Sequence, residues 1–153
     1  MRRPILILAL CFCVSWAASA AAGKVIKVLP QFLDLKGRHA ISPSLYDRDA
    51  YQAYLRIHTN EVSGIRFAVQ WKASGTGTNM LKIRVEVRGI THGDLPPKAV
   101  LEQEVKRGSR WFEHWASLPL TGDEFKKIGE VTAWRATLWD GDQLLSEQKS
   151  FLW

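Results

Sequence analysis

Cysteine is nearly missing from this 153-residue chain: Cys11 and Cys13 are the only two, and both fall within the first twenty residues. The remainder has no thiol to pair, which excludes a disulfide framework and a thiolate zinc set. Histidine is scarce too. His39, His58, His92 and His114 are scattered, with no two at ligand spacing, so no metal site is expected. The sequence also lacks the G-x-S-x-G, H-E-x-x-H, P-loop and dinucleotide glycine patterns, and neither a catalytic residue nor a cofactor is predicted. Its single apolar run, residues 5–16, falls short of the roughly 20 residues that cross a bilayer as a helix.

What the first twenty residues do contain is an ordered signal. Arg2 and Arg3 precede the apolar run, and Ala18-Ser19-Ala20 closes it with small residues, the layout of a cleaved secretory signal peptide. The expected mature chain is residues 21–153, one domain of 133 residues, exported to the periplasm or the medium. Leucine stands where a lipobox needs a small residue before Cys11, and a better cleavage site lies downstream, which argues against lipid anchoring there. Of the 21 Lys and Arg, two belong to this segment, leaving 19 against 15 Asp and Glu. They are dispersed with no basic block, and together with export this excludes nucleic acid as the expected partner.

Hydropathy alternation supplies the architecture. Residues 24–35 read as an edge strand, bent or broken at Pro30, which cannot donate to a ladder. Residues 37–49 are rich in turn formers, Pro43 among them, and read as a long loop or a crossover between sheets. Residues 50–58 set Tyr51, Ala53, Leu55 and Ile57 against Gln52, Tyr54, Arg56 and His58, and read as a strand. The next two segments alternate more clearly: Ile65, Phe67, Val69 and Trp71 in the first, Leu81, Ile83, Val85 and Val87 in the second. Joined by the small-residue loop 73–79, they are expected to form a long hairpin with one dry and one charged face.

A turn at 91–98 carries Pro96 and Pro97. After it come a weaker strand at 99–106, an ambiguous strand at 109–120, a two-turn helix from a Thr121 cap to Gly129, and a closing hairpin around Asp140, Gly141 and Asp142. Seven or eight short strands with one short helix predict an all-β chain; a β-barrel has the same local signals, but this count and length of strands suit an immunoglobulin-like or fibronectin-like antiparallel β-sandwich. In the closing hairpin a two-residue turn pairs Leu138 with Leu145 and a three-residue turn pairs it with Leu144. A bulge or a slipped register is therefore open.

Aromatic residues are what the chain has in surplus. Six tryptophans follow the signal segment. Trp71 and Trp134 share faces with core residues and are expected inside. Trp139 lies on the side of Arg135 and Thr137, the ambiguous strand carries Trp111, Glu113 and Trp115, and Trp153 ends the sequence. These six residues, Trp111, Glu113, Trp115, Arg135, Trp139 and Trp153, form the candidate binding surface, since exposed indoles stack on sugars and anchor protein interfaces. Burial competes for each ring at about 25 cal/mol per Å² of apolar area. The carboxylate pairs Asp47 with Asp49 and Glu102 with Glu104 have no apolar partner to raise a pKa, and the Asp-rich turns do not match an EF-hand.

Two blocks, LPQFLDLKGRHAISPSLYDRDAYQAYLR at 29–56 and AWRATLWDGDQLLSEQKSFLW at 133–153, resemble a group of small exported bacterial proteins with an immunoglobulin-like β-sandwich. The closing hairpin is also similar to that of immunoglobulin-like domains, which implies Trp134 and Leu138 as core and Asp140, Gly141 and Asp142 as the turn. The resemblance brings no activity with it. The function expected is non-enzymatic: docking of a cell-envelope protein or a second copy through an apolar patch that includes Trp139 or the Trp111 strand. A carbohydrate-binding module working through exposed tryptophans is the alternative, and an envelope hydrolase is the third reading.

Overall fold

A computed structural model describes residues 22–90, 97–109 and 111–153. The expected signal peptide, with Cys11 and Cys13, and most of the turn before Pro97, with His92, lie outside them. Seven strands occur among the described residues: β1 (Ala22–Asp34), β2 (Val62–Ser74), β3 (Met80–Ile90), β4 (Lys98–Lys106), β5 (His114–Thr121), β6 (Glu130–Asp140) and β7 (Gln143–Lys149). Two helices, α1 (Leu45–Ile57) and α2 (Gly122–Ile128), accompany them where one was expected. The strands make two antiparallel sheets, β1-β2-β5 and β4-β3-β6-β7, packed face to face. The alternating residues of β2 and β3 line the space between the sheets, with Phe67, Val69, Ile83, Val85 and Val87 fully buried. In β5 the ambiguity resolves: Ala116, Leu118 and Leu120 turn inward, and Trp115, Ser117 and Pro119 face solvent.

β2 and β3 do not form the expected hairpin. Loop 75–79 carries the chain from one sheet to the other, so the dry faces of the two strands meet across the core instead of lying side by side. A loop of this length spans the roughly 10 Å between packed sheets. Asp140, at the end of β6, holds it there. Its carboxylate accepts the Thr78 N–H at 3.0 Å, the Thr78 hydroxyl, and the Arg107 guanidinium at 2.5 Å. The Thr78 hydroxyl leads these contacts in holding Asp140 below the usual carboxylate range, against the opposing effect of burial.

Residues 50–57 are likewise not a strand but the greater part of α1, and His58 is its C-terminal cap. Ser44 caps the helix by accepting the Asp47 N–H at 3.4 Å, and Asp47 sits in the first turn, where a negative charge suits the helix dipole. One side of α1 faces the three-stranded sheet. Leu55 is fully buried there, and Gln52 meets the free edge of β1: the Phe32 N–H donates to Oε1 at 2.7 Å, while Nε2 donates to the carbonyls of Phe32 at 3.0 Å and His39 at 2.8 Å. A side-chain amide here takes the hydrogen-bonding place of a neighbouring strand.

β1 is an edge strand, as Pro30 predicts, and it runs unbroken through that proline with register shifts near Lys27 and Asp34. Because Phe32 turns its N–H and C=O outward to Gln52, Pro30, two residues earlier, also faces away from β2. Counting across the register from Pro30 through Phe67 to Leu118 leaves Pro119 of β5 facing outward as well. Both outer edges of this sheet therefore lack a donor at mid-strand.

The closing hairpin turns in two residues, with Asp140 opposite Gln143 and Trp139 opposite Leu144, and then a bulge brings Ser146 opposite Leu138. Gly141 has a φ of 56°, the left-handed geometry that the first position of a type II′ turn requires. The bulged Leu145 packs on the core. Trp134, expected inside, is only partly buried, against the edge of the core, and Phe151 and Leu152 are exposed. Among the described residues no helix is long and apolar enough to cross a membrane.

Candidate functional site

The six residues singled out in the sequence fall into two separate groups. Arg135, Trp139 and Trp153 lie on the outer face of the four-stranded sheet. The Trp153 ring lies under the guanidinium of Arg88, 3.8 Å from its centroid, and close to that of Arg135 at 5.2 Å. Arg135 also donates to both oxygens of Glu86 at 3.1 Å. The Nε atoms of Arg88 and Arg135 are buried without a hydrogen-bond acceptor, and the indole face supplies their electrostatic partner. Trp139 is half-buried and donates its Nε1–H to the Thr137 hydroxyl at 2.8 Å. The indoles of this group are engaged by their own sheet.

Trp111 and Glu113 just before β5, and Trp115 at its beginning, are open to solvent: Trp111 is 76% exposed and Trp115 53%. Phe112 between them is exposed too. Glu113 accepts a hydrogen bond from the Gln70 side chain, which anchors this segment to β2. His114 turns the other way and tilts against buried Trp71, with ring centroids 5.1 Å apart.

Trp115 borders a groove that sequence patterning did not reveal. Its floor is the outer face of β1-β2-β5, with Gln31, Arg66 and Ser117 in it, and its wall is His39 from the loop after β1 and Arg48 from the inner side of α1. The groove encloses about 330 Å³. Arg66 donates from Nε to Gln31 Oε1 at 2.9 Å, and no carboxylate among the described residues forms an ion pair with it. Arg48 pairs, among the described residues, only with the peripheral Asp49, at 3.6 Å. Burial, then the charges of Arg66 and Arg48, hold His39 below the usual imidazole range. Burial and Arg48 likewise lower Arg66. Positive charge thus converges here, and among the described residues no carboxylate belongs to the groove lining.

Asp34 positions the groove wall. It accepts the N–H groups of Lys36 and Arg38, the Arg38 Nε–H and the Tyr51 hydroxyl, each at 2.8 Å. Burial works to raise its pKa, but the Arg38 N–H, the Tyr51 hydroxyl, the Arg38 guanidinium and the Lys36 N–H outweigh it and hold Asp34 at about 2. Its backbone carbonyl accepts the Ser63 hydroxyl at 2.5 Å, so one residue ties together the loop before α1, the helix and β2.

The helix carries a second surface that the strand reading concealed. Tyr46, Ala50, Ala53 and Ile57, spaced i, i+4, i+7 and i+11, share the side of α1 opposite to Arg48, Tyr51, Gln52 and Leu55. All four are exposed, Tyr46 at 83% and Ile57 at 78%. Asp47, Asp49 and Arg56 flank the stripe. Its sequence signal was the Ser44 cap three residues before Asp47, followed by apolar residues at helical spacing.

Two packed antiparallel sheets with two short helices, an outward apolar helix face and a cationic groove define the class of this chain. Comparison with known protein families, with characterised proteins and with solved structures finds no match. Among the described residues no three His, Cys, Asp or Glu side chains converge as metal ligands.

Proposed function

We propose that the chain is a non-enzymatic docking module of the cell envelope and that it engages a partner protein through the outer face of α1. The observation that carries this reading is the exposed stripe of Tyr46, Ala50, Ala53 and Ile57 on a helix whose opposite side is already anchored to the sheet. An apolar stripe bordered by charged residues is how a surface helix presents itself to a second helix or an apolar cleft. Tyr46 and Ile57 each gain about 1.5–3 kcal/mol on full burial, and the two alanines between them let a partner backbone approach closely. Export rests on residues 1–20. The strand order β1-β2-β5 against β4-β3-β6-β7 supports the fibronectin-like reading, since it follows an immunoglobulin-type layout with the fourth strand on the second sheet.

The test is site-specific photocross-linking in the native host, with the photoreactive residue at position 46 or 57 and, as a control, at position 104 on β4. Discrete cross-linked species are expected from 46 and 57, lost on Ile57→Asp with unchanged thermal stability. Their mass tells a second copy from a different partner. No cross-link from either position, or equal cross-linking from 104, would remove the basis for the proposal.

A further inference from the structure

We propose that the groove on the outer face of the three-stranded sheet binds an acidic saccharide, with the sugar carboxylate held by Arg66 and Arg48 and the ring laid against Trp115. This site does not rest on the docking face of α1: Arg48 enters the groove from the side of the helix opposite Tyr46 and Ile57.

On the outer face of the other sheet Arg84 and Arg135 meet the carboxylate of Glu86, and Arg88 lies over the Trp153 ring. Arg66 instead spends its Nε on a neutral amide and leaves its two terminal nitrogens for an incoming anion. A fork of this kind matches a carboxylate with two parallel hydrogen bonds. Arg48 adds a second charge from the wall, only 30% of its side chain being exposed. Low-dielectric walls lined by one sign of charge concentrate the field on whatever anion enters.

Size and shape also suit a sugar. The groove holds about 330 Å³, room for far more than a single water molecule. A bare inorganic anion would fill little of it. A sugar ring fits, and the half-exposed indole of Trp115 offers an apolar face for one side of such a ring while Gln31 and Ser117 offer hydrogen-bonding groups for its hydroxyls. Glu113, at the neighbouring rim, is held back by Gln70 and does not enter the lining.

His39 gives the site a pH dependence. The charged groups acting on it are Arg66 of β2 and Arg48 of α1, while β1 and β5 present only neutral side chains to the groove. It is therefore neutral near pH 7. Protonation on acidification adds a third positive charge, so uronate affinity rises once the pH falls below the usual imidazole range and His39 takes up its proton.

The test is isothermal titration of the purified protein with galacturonate, glucuronate and mannuronate trisaccharides, with the neutral galactose trisaccharide and with inorganic phosphate. At least one uronate is expected to bind at least tenfold more tightly than either control. Arg66→Gln and Arg48→Gln should each weaken it tenfold or more, Trp115→Ala similarly, and Glu104→Gln on the opposite sheet not at all. Because Arg66 is partly buried, the Arg48→Gln result carries the conclusion if Arg66→Gln fails to fold. Failure of all three uronates to bind, equal binding of the neutral sugar or of phosphate, or insensitivity to Arg48→Gln overturns the proposal.

Discussion

Replacing Gln52 with alanine tests whether α1 is part of the fold or an appendage. The substitution removes three hydrogen bonds, from the Phe32 N–H and to the Phe32 and His39 carbonyls, at 2.7, 3.0 and 2.8 Å. At about 1 kcal/mol net for each, the loss is about 3 kcal/mol. For a domain of this size about 4 °C of melting temperature accompanies each kcal/mol, so the midpoint should fall by about 12 °C. Gln52→Glu is a sharper version. An ionised carboxylate still accepts the Phe32 N–H but has no hydrogen for either carbonyl, so it should be destabilised at least as much at pH 7 despite its matched size. Ala50→Ser, on the outer face of the same helix, should change stability by less than 0.5 kcal/mol. Thermal unfolding measures the midpoints, and hydrogen exchange at the Phe32 amide shows whether the β1 edge has opened. A Gln52→Ala protein that melts within 2 °C of the parent and keeps that amide protected would refute the reasoning.

Asp34→Asn addresses the acid limb of stability. Asp34 has a folded pKa of about 2 against about 3.9 in an unfolded chain, so its ionised form stabilises the fold fully above the unfolded value. That contribution is lost as pH falls through about 2. The stability gap between parent and Asp34→Asn in urea should therefore be wide at pH 6 and narrow by pH 2; a gap independent of pH contradicts it. Gly89→Ala would place its Cβ 2.0 Å from the Ile128 carbonyl oxygen and 3.0 Å from that of Glu130, and backbone at both sites cannot yield. A loss of about 1–3 kcal/mol is expected, and an unchanged urea midpoint would show that β3 shifts freely there. Trp153→Ala combined with Arg88→Met in a double-mutant cycle should give a coupling of about 0.5–1 kcal/mol, with zero coupling as the refuting result.

Period-two alternation carried the sequence reading where burial is one-sided. β3, with Leu81, Ile83, Val85 and Val87 buried and Lys82, Arg84 and Glu86 outside, was legible because the two faces meet such different surroundings. α1 was not legible for the opposite reason. Its inner side holds Tyr51 and Leu55 and its outer side holds Ala53 and Ile57, so apolar residues occur on both faces and the odd positions imitate a strand. Of the four, only Leu55 is fully buried. The false β2–β3 hairpin has another origin: alternation says which face is dry, but not whether two dry faces lie beside each other or opposite. The site followed the same division. Trp111 and Trp115 could be marked as candidates from their strand, whereas Arg66, Arg48 and His39 come from β2, α1 and a loop, and only the folded chain brings them to one groove.

The two edge prolines and the Gln52 clamp have a consequence for assembly. A β-sheet propagates by offering a row of unpaired N–H and C=O groups to the next strand, and the three-stranded sheet offers neither side intact: β1 has Pro30 and an edge already occupied by an amide, and β5 has Pro119. Growth by strand addition is blocked at both ends of this sheet. A neighbour meeting this sheet at either edge would therefore find side chains and proline rings where a continuous backbone ladder would be needed.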